Sequence, residues 1–217
     1  MSPTGSWSSK PTDEGAGAGL SLPDARIERW LNRLLETPGL TAIRDPAEAR
    51  KVHLDRSLAV VPFVRRYGGP VVDVGSGGGA PGVPIAAALP EREVVLLDAT
   101  RRKCDFLASI LAEFPNARVV CGRAEEQPNE QFGVAVARAL APPPVAVEWC
   151  LPLVATGGAA ILLVGPSADA DAVGRAAAQL GGGQPEQHDG ILVVPKLAPT
   201  PPSFPRRPGV ARKRPLA

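Results

Sequence analysis

A run of glycines near the middle of the chain follows a short apolar segment, and this arrangement can hold a nucleotide-like ligand. Alternating β-branched residues over Val71–Val74 predict a buried parallel strand. Five glycines follow within the eight residues Gly75–Gly82. Because glycine has no Cβ, such a loop can turn with positive φ and let a ligand lie against the backbone. With a helix predicted over Pro81–Leu89, the segment is typical of a cofactor site at the carboxyl end of a sheet.

Two further features indicate which ligand this would be. Gly75, Gly77 and Ala80 fit the dinucleotide pattern G-x-G-x-x-G/A, which does not separate NAD from S-adenosylmethionine. Asp98 follows Gly77 by 21 residues, at the end of the second predicted strand. A carboxylate there can accept both ribose hydroxyls, although Asp98 could instead cap the next helix.

The turn after the third predicted strand separates the two cofactors better. Gly122–Glu125 would lie beside an adenine, where a backbone N–H and a side chain can read its edge. Such a turn favours S-adenosylmethionine over NAD, and the alternative role for Arg123 and Glu125 is a surface ion pair. An NAD oxidoreductase is also disfavoured because the sequence shows no Tyr/Lys or Ser/His catalytic set.

The remaining segments predict the elements that position this loop. Two N-terminal helices are expected over Asp24–Glu36 and from Asp45 to about Phe63, the second bent near Pro62. Strands and helices then alternate, so the sheet should be mainly parallel with helices on both faces. A terminal hairpin would make the sheet seven-stranded. The predicted strands are Val71–Val74, Glu93–Leu97, Arg118–Cys121, Val134–Ala137, Ala159–Val164, Gln184–Gln187 and Ile191–Pro195, and the later helices are Arg101–Phe114, one from Pro143 towards Leu151, and Ala168–Leu180.

Composition predicts one domain with two tails. Residues 1–22 are expected to be disordered, residues 23–198 to form the domain (helices 23–67, Rossmann-like core 68–198), and residues 199–217 to form a basic, Pro-rich tail. From Gly190 to the C-terminus there are six basic residues and no acidic one. This asymmetry suggests contact with a polyanion, the alternative being a solvated tail. Three cysteines without CxxC spacing favour free thiols over a disulfide or a metal site.

Several short motifs occur together in this chain. They are Trp30, Leu40–Pro46, His53–Leu58, Asp73–Pro84, Leu97-Asp98, Arg102-Lys103, Phe106-Leu107, Arg123–Glu125, Ala137–Ala139, Phe204–Gly209 and Lys213–Leu216. The most specific is Pro81-Gly82-Val83-Pro84 behind the glycines. Together they resemble the 16S ribosomal RNA guanine-N7 methyltransferases, the RsmG family, also called glucose-inhibited division protein B.

The resemblance implies a Rossmann-like class I methyltransferase fold with an N-terminal helical extension, and S-adenosylmethionine as cofactor. It implies methylation of a guanine at N7 in small-subunit rRNA, with 16S rRNA or the small ribosomal subunit as partner. The expected cofactor-binding residues are Asp73, Gly75, Gly77, Ala80, Asp98, Ala124, Glu125 and Arg138. Arg138 is also the expected catalytic residue, because it ends the fourth strand and could hold the target nucleotide. Since no segment reads as a signal peptide or membrane span, we expect a cytoplasmic monomer without metal.

Two departures from the family pattern keep alternatives open. Ala80 stands where the family usually has Phe or Leu, and Val164 stands where it usually has Lys. Val164 favours a methyltransferase of the same fold with another substrate. The two together favour an S-adenosylmethionine-binding or RNA-binding protein that has lost catalysis.

Overall fold

One sheet of seven strands organises the protein, and the computed structural model describes residues 24–217 of it. The strand order is β3-β2-β1-β4-β5-β7-β6. β1 to β5 are parallel, while β7 is antiparallel to both β5 and β6. The strands are β1 Val71–Val74, β2 Val94–Asp98, β3 Ala117–Cys121, β4 Phe132–Arg138, β5 Val154–Leu163, β6 Glu186–His188 and β7 Ile191–Pro195. The predicted mainly parallel, seven-stranded sheet with a terminal hairpin is confirmed. The predicted disorder of residues 1–22 concerns residues outside the described part.

Helices cover both faces of the sheet, as βαβ connections require. Successive strand residues alternate between the layers, so Val71 packs with the α1, α5 and α6 side chains and Val72 with those of α7 and α8. The helices are α1 Ala25–Glu36, α2 Pro46–Ala49, α3 Arg56–Leu58, α4 Val61–Val64, α5 Gly82–Ala88, α6 Arg101–Ile110, α7 Pro143–Cys150, α8 Ala170–Ala178 and α9 Val210–Lys213. Among residues 24–217, no helix has both the length and the apolar composition that crossing a bilayer requires.

The second N-terminal helix is less regular than predicted. It breaks before α4, where Pro62 lies in the first turn, because proline lacks an N–H and clashes with the preceding turn. The expected bend is therefore confirmed. Between α2 and α3, however, Arg50–Asp55 form a π-helical turn that the apolar periodicity did not reveal. This turn matters because it carries His53 towards the sheet.

β5 also differs from its predicted bounds. It begins at Val154, which pairs with Phe132 of β4, and the register then shifts so that Val134 pairs with Ala159. Gly157 adopts φ +91° there and donates its N–H to the Lys196 carbonyl at 2.9 Å. The residues before Ala159 thus form an irregularity within β5, which the sequence pattern did not indicate.

Candidate functional site

A cavity of about 370 Å³ lies at the carboxyl ends of β1 to β4. We call it the cofactor pocket. Since β2 and β4 flank β1 on opposite sides, the pocket is at the point where the strand order reverses, the usual ligand position in such sheets. Its lining residues are Val74, Gly75, Leu97–Thr100, Lys103, Gly122–Glu125, Ala139, Leu140, Trp149, Gly209 and Arg212.

The glycine loop forms one wall of the pocket. Gly75 adopts φ +73°, and a Cβ there would lie 2.4 Å from Leu140 Cδ1. A side chain at position 75 would therefore require both backbone strain and displacement of Leu140. From below, the Trp30 indole of α1 donates to the Gly78 carbonyl at 2.8 Å. The N-terminal extension thus helps fix the loop conformation.

Asp98 connects the loop to the following helix. Its Oδ2 accepts the Gly77 N–H at 2.9 Å and its Oδ1 accepts the Thr100 N–H at 2.8 Å. Thr100 is the N-cap residue of α6, so Asp98 does stabilise the start of that helix. A carboxylate has roughly four acceptor positions, which leaves capacity for ribose hydroxyls. Both roles considered for Asp98 are therefore compatible.

The turn after β3 closes the pocket on the far side. Ala124 and Glu125, two of the predicted cofactor-binding residues, line it from a short 3-10 turn. Glu125 Oε1 accepts the Gly209 N–H at 3.4 Å, which brings the C-terminal segment to the same wall.

Trp149 and Arg212 are pocket residues that sequence reasoning missed. The Arg212 guanidinium lies 5.2 Å from the centroid of the Trp149 ring, and both side chains line the cavity. The indole N–H is buried and has no acceptor within the described part of the chain. The available signal was the basic C-terminal motif, whose charge predicts either contact with a polyanion or a solvated tail.

Asp73 and Ala80 are not brought to the pocket wall. Asp73 is fully buried in β1; its Oδ2 accepts the Gly82 N–H at 2.9 Å, while its Oδ1 has no partner in residues 24–217. Burial raises the pKa of this carboxyl to about 7. Ala80 is 8% exposed and packs in the core shared by α1 and α5. Its small side chain therefore packs in the core and does not line the cofactor pocket.

Arg138 also lies off the pocket wall and belongs to a hydrogen-bonded chain. Its Nη2 is 2.8 Å from His53 Nδ1, and His53 Nε2 is 3.0 Å from Thr41 Oγ1. Because a guanidinium can only donate, Nδ1 must accept, and the ring proton is on Nε2, which donates to Thr41. Burial and the nearby Arg138 charge lower the pKa of His53 to about 4, which keeps the imidazole neutral. We call these three residues the Thr41–His53–Arg138 network.

The π-helical turn supplies a second acceptor for this arginine. The Arg56 N–H bonds to the Lys51 carbonyl, five residues back, rather than to the Val52 carbonyl, four residues back. The Val52 carbonyl accepts from Arg138 Nη1 at 2.5 Å instead. The turn therefore joins the N-terminal extension to the end of β4.

A second cavity of about 150 Å³ adjoins the cofactor pocket. Ala139 and Leu140 line both, and Ala139 adopts φ +50°, an uncommon conformation for a residue with a Cβ. Pro143, Leu163 and Val164 also line this cavity. Val164, noted as a departure from the family pattern, therefore lies beside the cofactor pocket, on the wall of the second cavity.

The cofactor pocket fits S-adenosylmethionine. Its volume falls within the roughly 300–1,000 Å³ of small-molecule sites. The bare Gly75 backbone admits close approach, Asp98 offers carboxylate acceptors, and Leu140 with Trp149 offers apolar surface for a purine. Among residues 24–217, no three His, Cys, Asp or Glu side chains cluster as metal ligands.

Fold and site together define a class I S-adenosylmethionine-dependent methyltransferase. The fold is shared with a SAM-dependent O-methyltransferase from Thermotoga maritima (TM-score 0.55, 13% identity, 79% of this chain and 72% of that chain). The GidB family, rRNA small subunit methyltransferase G, matches residues 25–187, and the chain belongs to that family. Ribosomal RNA small subunit methyltransferase G of Acetivibrio thermocellus is 31% identical over 228 residues, covering 94% of each chain. The protein of the same name from Synechococcus elongatus is 36% identical over 200 residues, covering 82% of each. The family resemblance is confirmed.

Proposed function

We propose that this protein transfers a methyl group from S-adenosylmethionine to N7 of a guanine in 16S rRNA. The observation that carries the proposal is the pairing of a cofactor pocket, with Asp98 on its wall, and an adjoining apolar cavity across Ala139. Membership of the rRNA small subunit methyltransferase G family supplies the substrate class. The substrate is either free 16S rRNA or the small ribosomal subunit.

The chemistry asks little of acid–base groups. S-adenosylmethionine supplies an electrophilic methyl group, and guanine N7 presents a lone pair and no proton. No general base is therefore needed, and alignment of the reactants provides the main rate enhancement. His53 agrees with this, because both ring nitrogens are engaged in the Thr41–His53–Arg138 network.

The second cavity would take the target base. It lies at the ends of β4 and β5 and shares Ala139 and Leu140 with the cofactor pocket, and its apolar lining suits a base extruded from its stack. Arg138 lines neither cavity, so in this proposal it acts on the target site through the end of β4, where its guanidinium bonds to His53 and the Val52 carbonyl. Its assignment as catalytic residue stays a prediction.

Basic side chains of the C-terminal segment would contact the RNA backbone. Arg207, Arg212, Lys213 and Arg214 are exposed, and of these Arg212 also lines the cofactor pocket. Two others are committed internally: Lys196 Nζ is buried and donates to the Leu180 carbonyl at 2.7 Å, and Arg206 pairs with Glu148. The phosphate-binding set is therefore smaller than the six residues counted from the sequence.

The remaining parts of the proposal are a cytoplasmic location, no membrane partner and a monomeric state. The substrate class supports the first two, and the monomeric state is carried over from the sequence-based expectation. Size-exclusion chromatography with light scattering would measure the mass in solution, and a dimer would contradict the last point.

Labelled methyl transfer tests the function directly. Small subunits, naked 16S rRNA and an unrelated RNA are incubated with the protein and labelled S-adenosylmethionine, and the modified base is mapped. We expect N7-methylguanine at one position in the subunit or the rRNA and none in the control RNA. Methylation at another atom or only in another RNA would favour the second candidate, a methyltransferase with a different target, which Val164 supports. Binding of the cofactor without transfer to any RNA would indicate lost catalysis.

A further inference from the structure

The C-terminal segment, residues 199–217, is fixed to the body of the domain rather than extended into solvent. Arg206 donates from Nε and Nη2 to the two carboxylate oxygens of Glu148, at 2.6 and 2.5 Å. Near the end of the chain, the Leu216 carbonyl accepts from Nε2 of Gln179, the C-cap residue of α8, at 3.2 Å. The segment therefore contacts α7 through Arg206 and then reaches the end of α8 near the C-terminus.

The Arg206–Glu148 pair is a strong anchor. The Glu148 side chain is 3% exposed and that of Arg206 is 22% exposed. A buried carboxylate needs a charged partner, and a two-pronged guanidinium contact meets this need well. Arg206 is therefore not available to phosphates, and the chain that follows it has a defined starting point on α7.

From this anchor the segment reaches the cofactor pocket. Trp149 is adjacent to Glu148 on α7, and Arg212 lies over its ring within the distance of a cation–π contact. Gly209, between Arg206 and Arg212, donates to Glu125 on the turn after β3. Arg212, Gly209 and Trp149 all line the pocket.

The position of these residues selects one end of the ligand. Asp98, at the end of β2, is placed to accept ribose hydroxyls. The base attached to that ribose would then lie towards the turn after β3, where Glu125 and Gly209 meet. We propose that Arg212, held against Trp149, binds the purine end of the cofactor, so that the C-terminal segment is part of the cofactor site. This inference rests on the proposed function, since it takes S-adenosylmethionine as the ligand.

Calorimetry on full-length variants tests this. Arg212→Ala is compared with Arg214→Ala, which removes the same charge two residues further on, at an exposed position that does not line the pocket. The ligands are S-adenosylmethionine and 5′-methylthioadenosine, which keeps the purine and ribose but lacks the charged amino acid. We expect Arg212→Ala to weaken both ligands by about fivefold to tenfold, and Arg214→Ala to leave both unchanged.

Further measurements separate binding from folding. Arg212→Lys keeps the charge but not the planar group, so its affinity should be intermediate. Thermal unfolding of the ligand-free variants should match that of the wild type, and Arg212→Ala should raise KM for S-adenosylmethionine with kcat unchanged at saturation. A loss confined to S-adenosylmethionine, or no loss at all, would overturn the inference. If the wild type bound the cofactor without methylating rRNA, the proposed function would fail, but calorimetry would still show whether Arg212 binds the cofactor. If the wild type bound no cofactor, both the proposed function and this inference would fail.

Discussion

The two regions at the carboxyl edge of the sheet use their polar groups in opposite ways. In the cofactor pocket, Asp98, Glu125 and Arg212 lie on the wall of an open cavity. In the Thr41–His53–Arg138 network, by contrast, both ring nitrogens of His53 and both terminal nitrogens of Arg138 bond to other atoms of the chain. The first region is built to receive a ligand, while the second is built to hold two parts of the protein together. Methyl transfer to N7 needs both, because it depends on binding and alignment rather than on proton transfer.

The largest expected effect comes from breaking the network at Arg138. Arg138→Ala leaves the buried His53 Nδ1 and the Val52 carbonyl without their donor, so the N-terminal extension loses its link to β4. Misplacement by about 1 Å can cost roughly 100-fold in rate. We expect methyl transfer to fall by at least that factor, with a much smaller change in S-adenosylmethionine affinity. Undiminished turnover would refute the role; Arg175→Ala, at an exposed position on α8 that lines neither cavity, is the control.

Removing Asp98 should have a different result, in which the main loss is in S-adenosylmethionine affinity. Asp98→Ala deletes the carboxylate that accepts the Gly77 and Thr100 N–H groups and is placed to accept ribose hydroxyls. Hydrogen bonds to charged groups contribute about 1.5–3 kcal/mol, so affinity for S-adenosylmethionine should fall roughly 10- to 100-fold. Asp105→Ala, an exposed carboxylate on α6, should leave affinity unchanged. Equal affinities in calorimetry for Asp98→Ala and the wild type would show that the carboxylate does not contact the ligand.

The sequence predicted the first region better than the second because its signals are local. Strand, glycine loop and the end of β2 lie within a short stretch, and each has a recognisable pattern of residue types. Arg138 and His53, however, are 85 positions apart, and only the π-helical turn places them in contact. Similarly, Glu148 and Arg206 are 58 positions apart, so nothing in the basic tail itself revealed that one arginine is an internal anchor. Residue types predicted which groups carry chemistry, and tertiary packing decided which of them face a ligand.

The pH dependence of stability tests the Thr41–His53–Arg138 network separately from the cofactor pocket. The pKa of His53 is about 4 in the folded protein, below its ordinary value of 6.5. Between these values the unfolded chain binds more protons, so stability should fall as the pH drops from about 6.5 to 4, by roughly 1–3 kcal/mol in total. His53→Gln should lose this dependence while still offering an acceptor to Arg138. The raised pKa of Asp73, about 7, has the opposite effect, but it is common to both proteins and cancels in their difference. The free energy of unfolding of both proteins is measured by urea unfolding over this pH range. The same pH dependence in both would contradict a neutral, buried His53.

The smallest effect is expected outside both regions, at the exposed cations of the C-terminal segment. Each phosphate contact releases counterions, so the logarithm of RNA affinity falls with the logarithm of salt concentration by about 0.7 per contact on single strands. Arg214 is exposed and does not line the cofactor pocket, so Arg214→Ala should reduce this slope by about one contact and weaken RNA binding only severalfold. Arg212→Ala, if its guanidinium faces the cofactor, should change the slope less while weakening S-adenosylmethionine more. Binding titrations over a range of salt concentrations measure the slope. If Arg212→Ala reduced the salt slope while Arg214→Ala weakened S-adenosylmethionine binding, the two roles would be exchanged. The C-terminal segment would then present Arg212 to RNA rather than to the pocket.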